Sequence, residues 1–134
     1  MKPFSLESSM LTIRGVFYPT GHLFVMLPLL EHAQALDRNL RASGYSGHEV
    51  MLLTPEVILG QIRKTVRDDT NPLPSAGSEG DTVREYERLA RDGHHAVLIH
   101  APSDKEAQHV MQAVRTVPFS YAQRYRHLVI EDMA

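Results

Sequence analysis

The 134-residue chain contains no cysteine. This absence excludes disulfide bonds, thiolate nucleophiles and cysteine-ligated metal clusters, so any metal would be held by His, Asp or Glu side chains. A chain without cysteine is also compatible with a reducing compartment, and we expect a cytoplasmic protein.

Long apolar segments and a strong net charge are absent as well. The apolar run from Leu23 to Leu30 is short and is interrupted by Pro28, so we expect neither a secretion signal nor a membrane span. The net charge is -2, from 14 basic and 16 acidic residues, and this balance creates no overall field that would gather nucleic acid. The composition therefore does not predict nucleic-acid or membrane partners.

The length of the chain predicts one domain. A chain of this size buries roughly 68% of the surface that its unfolded form exposes, so it needs neither a metal nor a disulfide to fold. Within residues 1–134 we expect an N-terminal arm or extra strand at residues 1–20 and a mobile loop at residues 68–81. The loop segment, DDTNPLPSAGSEGD, has two prolines, two glycines and few apolar side chains.

Strand and helix patterns alternate along the rest of the chain. Apolar residues recur at helical spacing over residues 29–43, and Gly44 follows as a typical helix stop. Three further helix starts are indicated by N-capping patterns: Thr54 with Pro55, TVRE (82–85) and SDKE (103–106). Hydrophobic runs predict strands at residues 22–28, 48–53, 96–99 and 128–130, and residues 11–18 form either a hairpin strand or an irregular arm.

These patterns describe two β-α-β halves joined by a pair of helices. They predict an α+β sandwich of the ferredoxin-like class with a helical insertion between the halves. The strands are apolar at consecutive positions, so both faces of the sheet should be covered. The helices at 29–43 and 103–116 would cover one face, and the inserted helices or a second copy of the chain would cover the other. A homodimer is therefore a reasonable expectation.

The two halves also resemble each other in sequence. Residues 33–46 align without gaps on residues 107–120, with Ala33 opposite Ala107 and Leu40 opposite Val114. Two explanations fit this match: an internal duplication, or the common composition of two amphipathic helices.

Three segments carry a resemblance to a known family. They are HLFVMLPLLEHAQALDRNLRASGYSGHEVMLLT (22–54), GHHAVLIHAPSDKEAQHVMQAV (93–114) and RYRHLVIED (124–132). These segments resemble the small bacterial general-stress or heat-induced stress protein domains, in which a strand and a helix ending in a glycine turn precede an hAVLhVhAP strand. The resemblance leaves out residues 1–20. It implies a stress-associated accessory protein and supplies no catalytic residues.

Histidine is the most suggestive functional side chain. The segment GHHAVLIHAP (93–102) contains three histidines, but along a regular strand they lie too far apart, or face opposite ways, to form one site. In the ferredoxin-like strand order, the end of the third strand and the starts of the first two meet at one edge. This places His22, His48 and His100 at that edge, where they could hold zinc or another divalent ion with Glu49 or Asp104. The alternative is that these histidines are polar residues capping strand ends.

Motifs that specify a reaction are missing from the sequence. It contains no nucleophile elbow, zinc-protease motif or phosphate loop, and RGVFY (14–18) matches only a fragment of the aromatic RNA-binding signature. We therefore predict a noncatalytic accessory or regulatory protein that binds a protein or a small ligand, without a cofactor. The alternatives are a small dimeric enzyme in which one of His22, His48 or His100 acts as acid or base, and a histidine-ligated divalent-metal binder.

Overall fold

The computed structural model describes residues 1–66 and 77–133, which form a mixed α+β fold around one open sheet. The strands are β1 (Lys2–Pro3), β2 (His22–Leu27), β3 (Val50–Leu53), β4 (His95–His100), β5 (Tyr121–Arg126) and β6 (Val129–Asp132). Their order across the sheet is β1-β3-β4-β2-β5-β6. β1 pairs in parallel with β3, and all other neighbours are antiparallel.

Four helices connect these strands: α1 (Leu30–Ala42), α2 (Pro55–Val57), α3 (Gly77–Arg91) and α4 (Asp104–Val114). The short α2 continues as a π turn, Ile58–Ile62, and a 3-10 turn, Arg63–Thr65. The helix starts predicted after Thr54 and Ser103 are confirmed, because each side chain accepts a backbone N–H bond three residues later. Further 3-10 turns occupy Ser8–Met10 and Gly47–Glu49.

Each face of the sheet carries its own apolar core. The first lies under α1 and α4, which bury Leu36, Leu40 and Val110 against Val25 and Val97. The second contains residues from the arm, the α2 segment and α3, with these members among others: Phe17, Phe24, Ile58, Ile62, Val83, Tyr86, Leu98 and Tyr125. The inserted helices and the arm therefore cover the second face, and a second copy of the chain is not needed for that purpose.

The start of α3 differs from the sequence prediction. Residues 77–81, predicted to lie in a loop, belong to this helix, and Thr82 is buried within it instead of capping its start. Further along the same helix, Val83 and Tyr86 are buried in the second core. This tertiary packing of α3 outweighs the loop-like composition of its first turn. Residues 68–76 of the predicted segment lie outside the described residues.

The last strands also differ from the prediction. Residues 121–126 form β5, which pairs with β2, whereas the apolar segment predicted at 128–130 contributes only to the edge strand β6. Leu128 has a φ of 67° in the turn between them. β5 was not predicted because its sequence contains polar residues that are typical of exposed segments. One of them, Arg124, is nevertheless buried, and its guanidinium lies 2.7 Å from a carboxylate oxygen of Asp104 at the start of α4.

Gly93, which ends α3, has a φ of 89°. A Cβ at this position meets nothing within 4 Å, so the substitution Gly93→Ala tests backbone strain alone. We expect it to lower the free energy of unfolding by roughly 1–2 kcal/mol, measured by urea denaturation. Gly60→Ala is the matched control, because Gly60 also has open space but no positive φ; it should be neutral or stabilising by up to about 1 kcal/mol. Equal losses in both variants would contradict this explanation.

Two fully buried tyrosines join α3 to β5. The hydroxyls of Tyr86 and Tyr125 are 2.8 Å apart and are hydrogen-bonded to each other, and the Tyr86 ring stacks on Phe24 with ring centroids 4.0 Å apart. Burial raises the pKa of both hydroxyls. The pair therefore stays protonated and ties the inserted helix to the sheet.

Replacing one of these tyrosines should cost more than replacing both. Tyr86→Phe leaves the Tyr125 hydroxyl without its partner, which should lower the free energy of unfolding by about 1–3 kcal/mol. The double variant, Tyr86→Phe with Tyr125→Phe, removes both polar groups while keeping their shape, and should regain most of that loss. Additive losses in a double-mutant cycle would show that the hydroxyls are not coupled.

Candidate functional site

A cleft of about 280 Å³ lies at one end of the central strands, and we call it the histidine cleft. It is formed where β2 begins, where β4 ends and where the 3-10 turn leads into β3. Its lining residues are Lys2, Glu7, Ser9, Met10, Pro19, Thr20, His22, His48, Glu49, Met51 and His100. The three histidines that the sequence placed at this edge thus line one cleft.

The strand register explains why two of these histidines meet. His22 is the first residue of β2 and His100 the last of β4, and they are directly paired in the antiparallel ladder. Their ring centroids are 5.0 Å apart. His48 reaches the cleft from the 3-10 turn that precedes β3, and β3 is the other neighbour of β4.

The predicted ligand set is brought together only in part. Among residues 1–66 and 77–133, no three His, Asp or Glu side chains are already arranged to hold a metal ion. Asp104 does not line the cleft; it pairs with Arg124, whose guanidinium holds the pKa of this carboxyl below its usual range. Glu49 does line it, but its Oε1 accepts hydrogen bonds from both the backbone N–H and the hydroxyl of Ser46.

The protonation of His22 is set by its surroundings. Its Nδ1 lies 3.1 Å from the carbonyl oxygen of Thr20, and since a carbonyl only accepts, Nδ1 carries the hydrogen. Burial is the largest cause of the lowered pKa of His22. The hydrogen bond to the Thr20 backbone opposes it, the nearby His100 lowers the pKa further, and the Pro19 backbone and Glu7 have smaller opposing effects. The ring is therefore neutral at pH 7, with its lone pair on Nε2.

A second, larger concavity adjoins the histidine cleft and shares Ser9 and Thr20 with it. This arm groove, of about 600 Å³, lies between the arm and the β5–β6 turn. Ile13 and Leu128 line it with side chains that are 107% and 84% exposed. This surface was not predicted from the sequence. The sequence feature that could have indicated it is an apolar side chain within each of two turns, Ile13 in TIRG (12–15) and Leu128 in RHLV (126–129).

The remaining histidines of GHHAVLIHAP lie at the other end of β4. His94 precedes the strand, and its Nε2 is 2.8 Å from the hydroxyl of Ser120. His95, the first residue of the strand, pairs with Leu27 at the end of β2. The first and last histidines of this segment therefore lie at opposite ends of β4, and of the three only His100 lines the histidine cleft.

Comparison with known proteins adds no further guide to the site. No protein-family model, curated protein or solved structure matches the chain. In the part of the chain that the structure describes, no helix has the length and apolar character needed to cross a membrane.

The lowered pKa of His22 predicts how stability depends on pH. At a pH below about 6.5, the ordinary pKa of histidine, His22 binds a proton more readily in the unfolded chain than in the folded chain. The free energy of unfolding therefore falls as the pH drops from about 6.5 towards the lower pKa of the folded state. Above about pH 6.5, His22 is neutral in both states and has no such effect. Between pH 7.5 and 5.5, the melting temperature of the wild type should therefore fall further than that of His22→Asn. His127→Asn, in the exposed turn after β5, serves as the control and should keep the wild-type pH dependence. The same pH dependence in His22→Asn and the wild type would contradict the assignment.

Proposed function

We propose that the protein is a noncatalytic accessory protein that binds a small polar ligand in the histidine cleft. The observation that carries this proposal is the convergence of His22, His48 and His100 on one cleft of about 280 Å³. Protein sites for small molecules are typically about 300–1,000 Å³, so the occupant is small. Imidazole, carboxylate, hydroxyl and ammonium groups around the cleft favour a ligand that both donates and accepts hydrogen bonds.

The proposal includes a ferredoxin-like arrangement of the central elements. Strands β3-β4-β2-β5 are adjacent in this order, and their neighbours are antiparallel. Helix α1 connects β2 to β3, helix α4 connects β4 to β5, and the two helices share one core. This order is the one expected for two interleaved β-α-β halves, with α2 and α3 inserted between them.

Binding without catalysis is supported by the position of the cleft and by the hydrogen bonds that its carboxylate Glu49 already makes. Buried apolar side chains form a core on each face of the sheet, and the cleft lies at the end of the central strands. Glu49, a potential catalytic partner for the histidines, is held by Ser46. A catalytic pair requires two groups that are free to exchange protons with a substrate.

An enzymatic role is the second candidate, and one observation favours it. The Thr20 carbonyl fixes the His22 tautomer and leaves Nε2 as a proton acceptor, which is how a histidine general base is commonly oriented. In that case the ligand of the cleft would be a substrate, and His22 would remove a proton from it.

The cellular role also belongs to the proposal. The resemblance of residues 93–114 and 124–132 to bacterial stress domains supports a stress-associated role, and the absence of cysteine is compatible with the cytoplasm. A homodimer stays a prediction. Its remaining support is the exposed apolar side chains of Ile13, Leu128 and Val129 around the turns, since exposed apolar patches often mark contacts between chains.

A thermal-shift screen tests the binding role. The compounds should be small carboxylates, phosphate esters, amino acids and nucleosides, tested against the untagged wild type, His100→Ala and a control, His109→Ala. A compound present at a hundred times its Kd stabilises the folded state by about 2.7 kcal/mol, so a clear rise in melting temperature is expected for the wild type and the control. His100→Ala should lose most of that rise. Failure of every compound, or equal shifts in all three proteins, would contradict binding in the cleft.

The same compounds separate binding from catalysis. A stabilising compound should be recovered unchanged after incubation with the wild type, as followed by proton NMR. If it is instead converted, and His22→Asn binds it without converting it, the enzymatic candidate replaces the noncatalytic one.

A further inference from the structure

We infer that His22 and His100 form a two-imidazole chelate for a divalent transition-metal ion of the Ni²⁺, Cu²⁺ or Zn²⁺ type. This inference rests on the proposed binding role of the histidine cleft and specifies its occupant. The feature behind it is the cross-strand pairing of two histidines at the open end of the two central strands.

The separation of the two rings matches such a chelate. With metal–nitrogen bonds of about 2.0–2.1 Å at a near-tetrahedral angle, two bound imidazoles have ring centroids roughly 5 Å apart. The centroids of His22 and His100 are 5.0 Å apart. Both residues end strands whose next residues, Leu23 and Ile99, are fully buried. The core therefore fixes the backbone positions of both residues, and the Thr20 carbonyl orients the His22 ring.

The hydrogen bond from His22 is a second, independent indication. Metal-binding histidines commonly donate their other ring N–H to a carbonyl or carboxylate, which fixes the tautomer and orients the ring. His22 Nδ1–H donates to the Thr20 carbonyl in this way, over 3.1 Å. The nitrogen left for a metal is Nε2, which carries a lone pair in the neutral ring.

The charge around the cleft favours a cation over an anion. Besides the three histidines, its lining contains the carboxylates of Glu7 and Glu49 and the ammonium of Lys2, so the carboxylates outnumber the ammonium group. His48 and Glu7 line the same cleft, but the described residues contain no assembled group of three ligands. Two protein ligands therefore leave coordination positions open for water or for a ligand molecule. Such a site should follow the usual order of affinity, with Cu²⁺ above Ni²⁺ and Zn²⁺.

Isothermal titration of the untagged, full-length protein with Ni²⁺ tests the chelate. The wild type should bind one ion, and His100→Ala should bind at least tenfold more weakly. His100 is exposed at the strand end, so its removal should leave the fold intact, and a circular dichroism spectrum verifies this. His109→Ala is the matched control, because His109 lies on α4, bonded to the Ser43 carbonyl, away from the cleft; it should bind Ni²⁺ as the wild type does. Equal affinity in His100→Ala and the wild type would overturn the inference.

The Cu²⁺ complex gives a readout of the ligands themselves. Electron paramagnetic resonance of the wild type should show coupling to two imidazole nitrogens, and that of His100→Ala to fewer. Coupling unchanged by either His22→Ala or His100→Ala would assign the ion to other histidines and overturn the inference.

The outcomes also separate this inference from the proposed function. If small polar compounds stabilise the wild type through His100 in metal-free buffer while Ni²⁺ does not bind, the chelate is wrong and the binding role stands. If Ni²⁺ binds as expected and no compound does, the chelate stands and the proposed small-molecule ligand is wrong.

Discussion

The pairing of β2 with β4 is the constraint on which both the sheet and the site depend. Six residue pairs, from His22 with His100 to Leu27 with His95, define its register. Along β2, Leu23 and Val25 enter one core while Phe24 enters the other. Because a slip of one residue would exchange these faces, the two filled cores permit only this register. The two histidines at its end are therefore placed by hydrophobic packing that begins at the adjacent residues, Leu23 and Ile99.

Sequence patterns predicted the elements whose burial is local and regular. Strands β2 and β4 and helices α1 and α4 occur within one or two residues of the expected bounds. The aligned helices even bury matching positions, since Ala33, Ala107, Leu40 and Val114 are all fully buried. β5 escaped prediction because the burial of Arg124 depends on Asp104, twenty residues earlier in the chain. The start of α3 escaped prediction because its first turn is glycine-rich, whereas the side chains that pack the helix on the sheet, such as Val83 and Tyr86, lie further along it.

For the candidate site, the positions of the residues along the sheet could be predicted from the sequence, but their side-chain contacts could not. Strand order alone was enough to bring His22, His48 and His100 to one edge, since it needs only the connectivity of the halves. It could not tell which side chains were already engaged: Ser46 holds Glu49 and Arg124 holds Asp104. The arm groove depends on two turns that are distant in sequence, so no local pattern could show that Ile13 and Leu128 lie beside one cavity.

The central place of β2 also bears on how the chain is made. On a ribosome, β2 emerges early, but its two neighbours are β4 and β5, and β5 ends only at Arg126. Until β4 has been made, both edges of this almost wholly apolar strand lack their native partners, and one edge still lacks its partner until β5 is complete. Unpaired apolar edges in a nascent chain invite aggregation. We therefore expect folding to be completed after synthesis of the C-terminal strands, with the N-terminal half depending on rapid translation or on chaperones until that point.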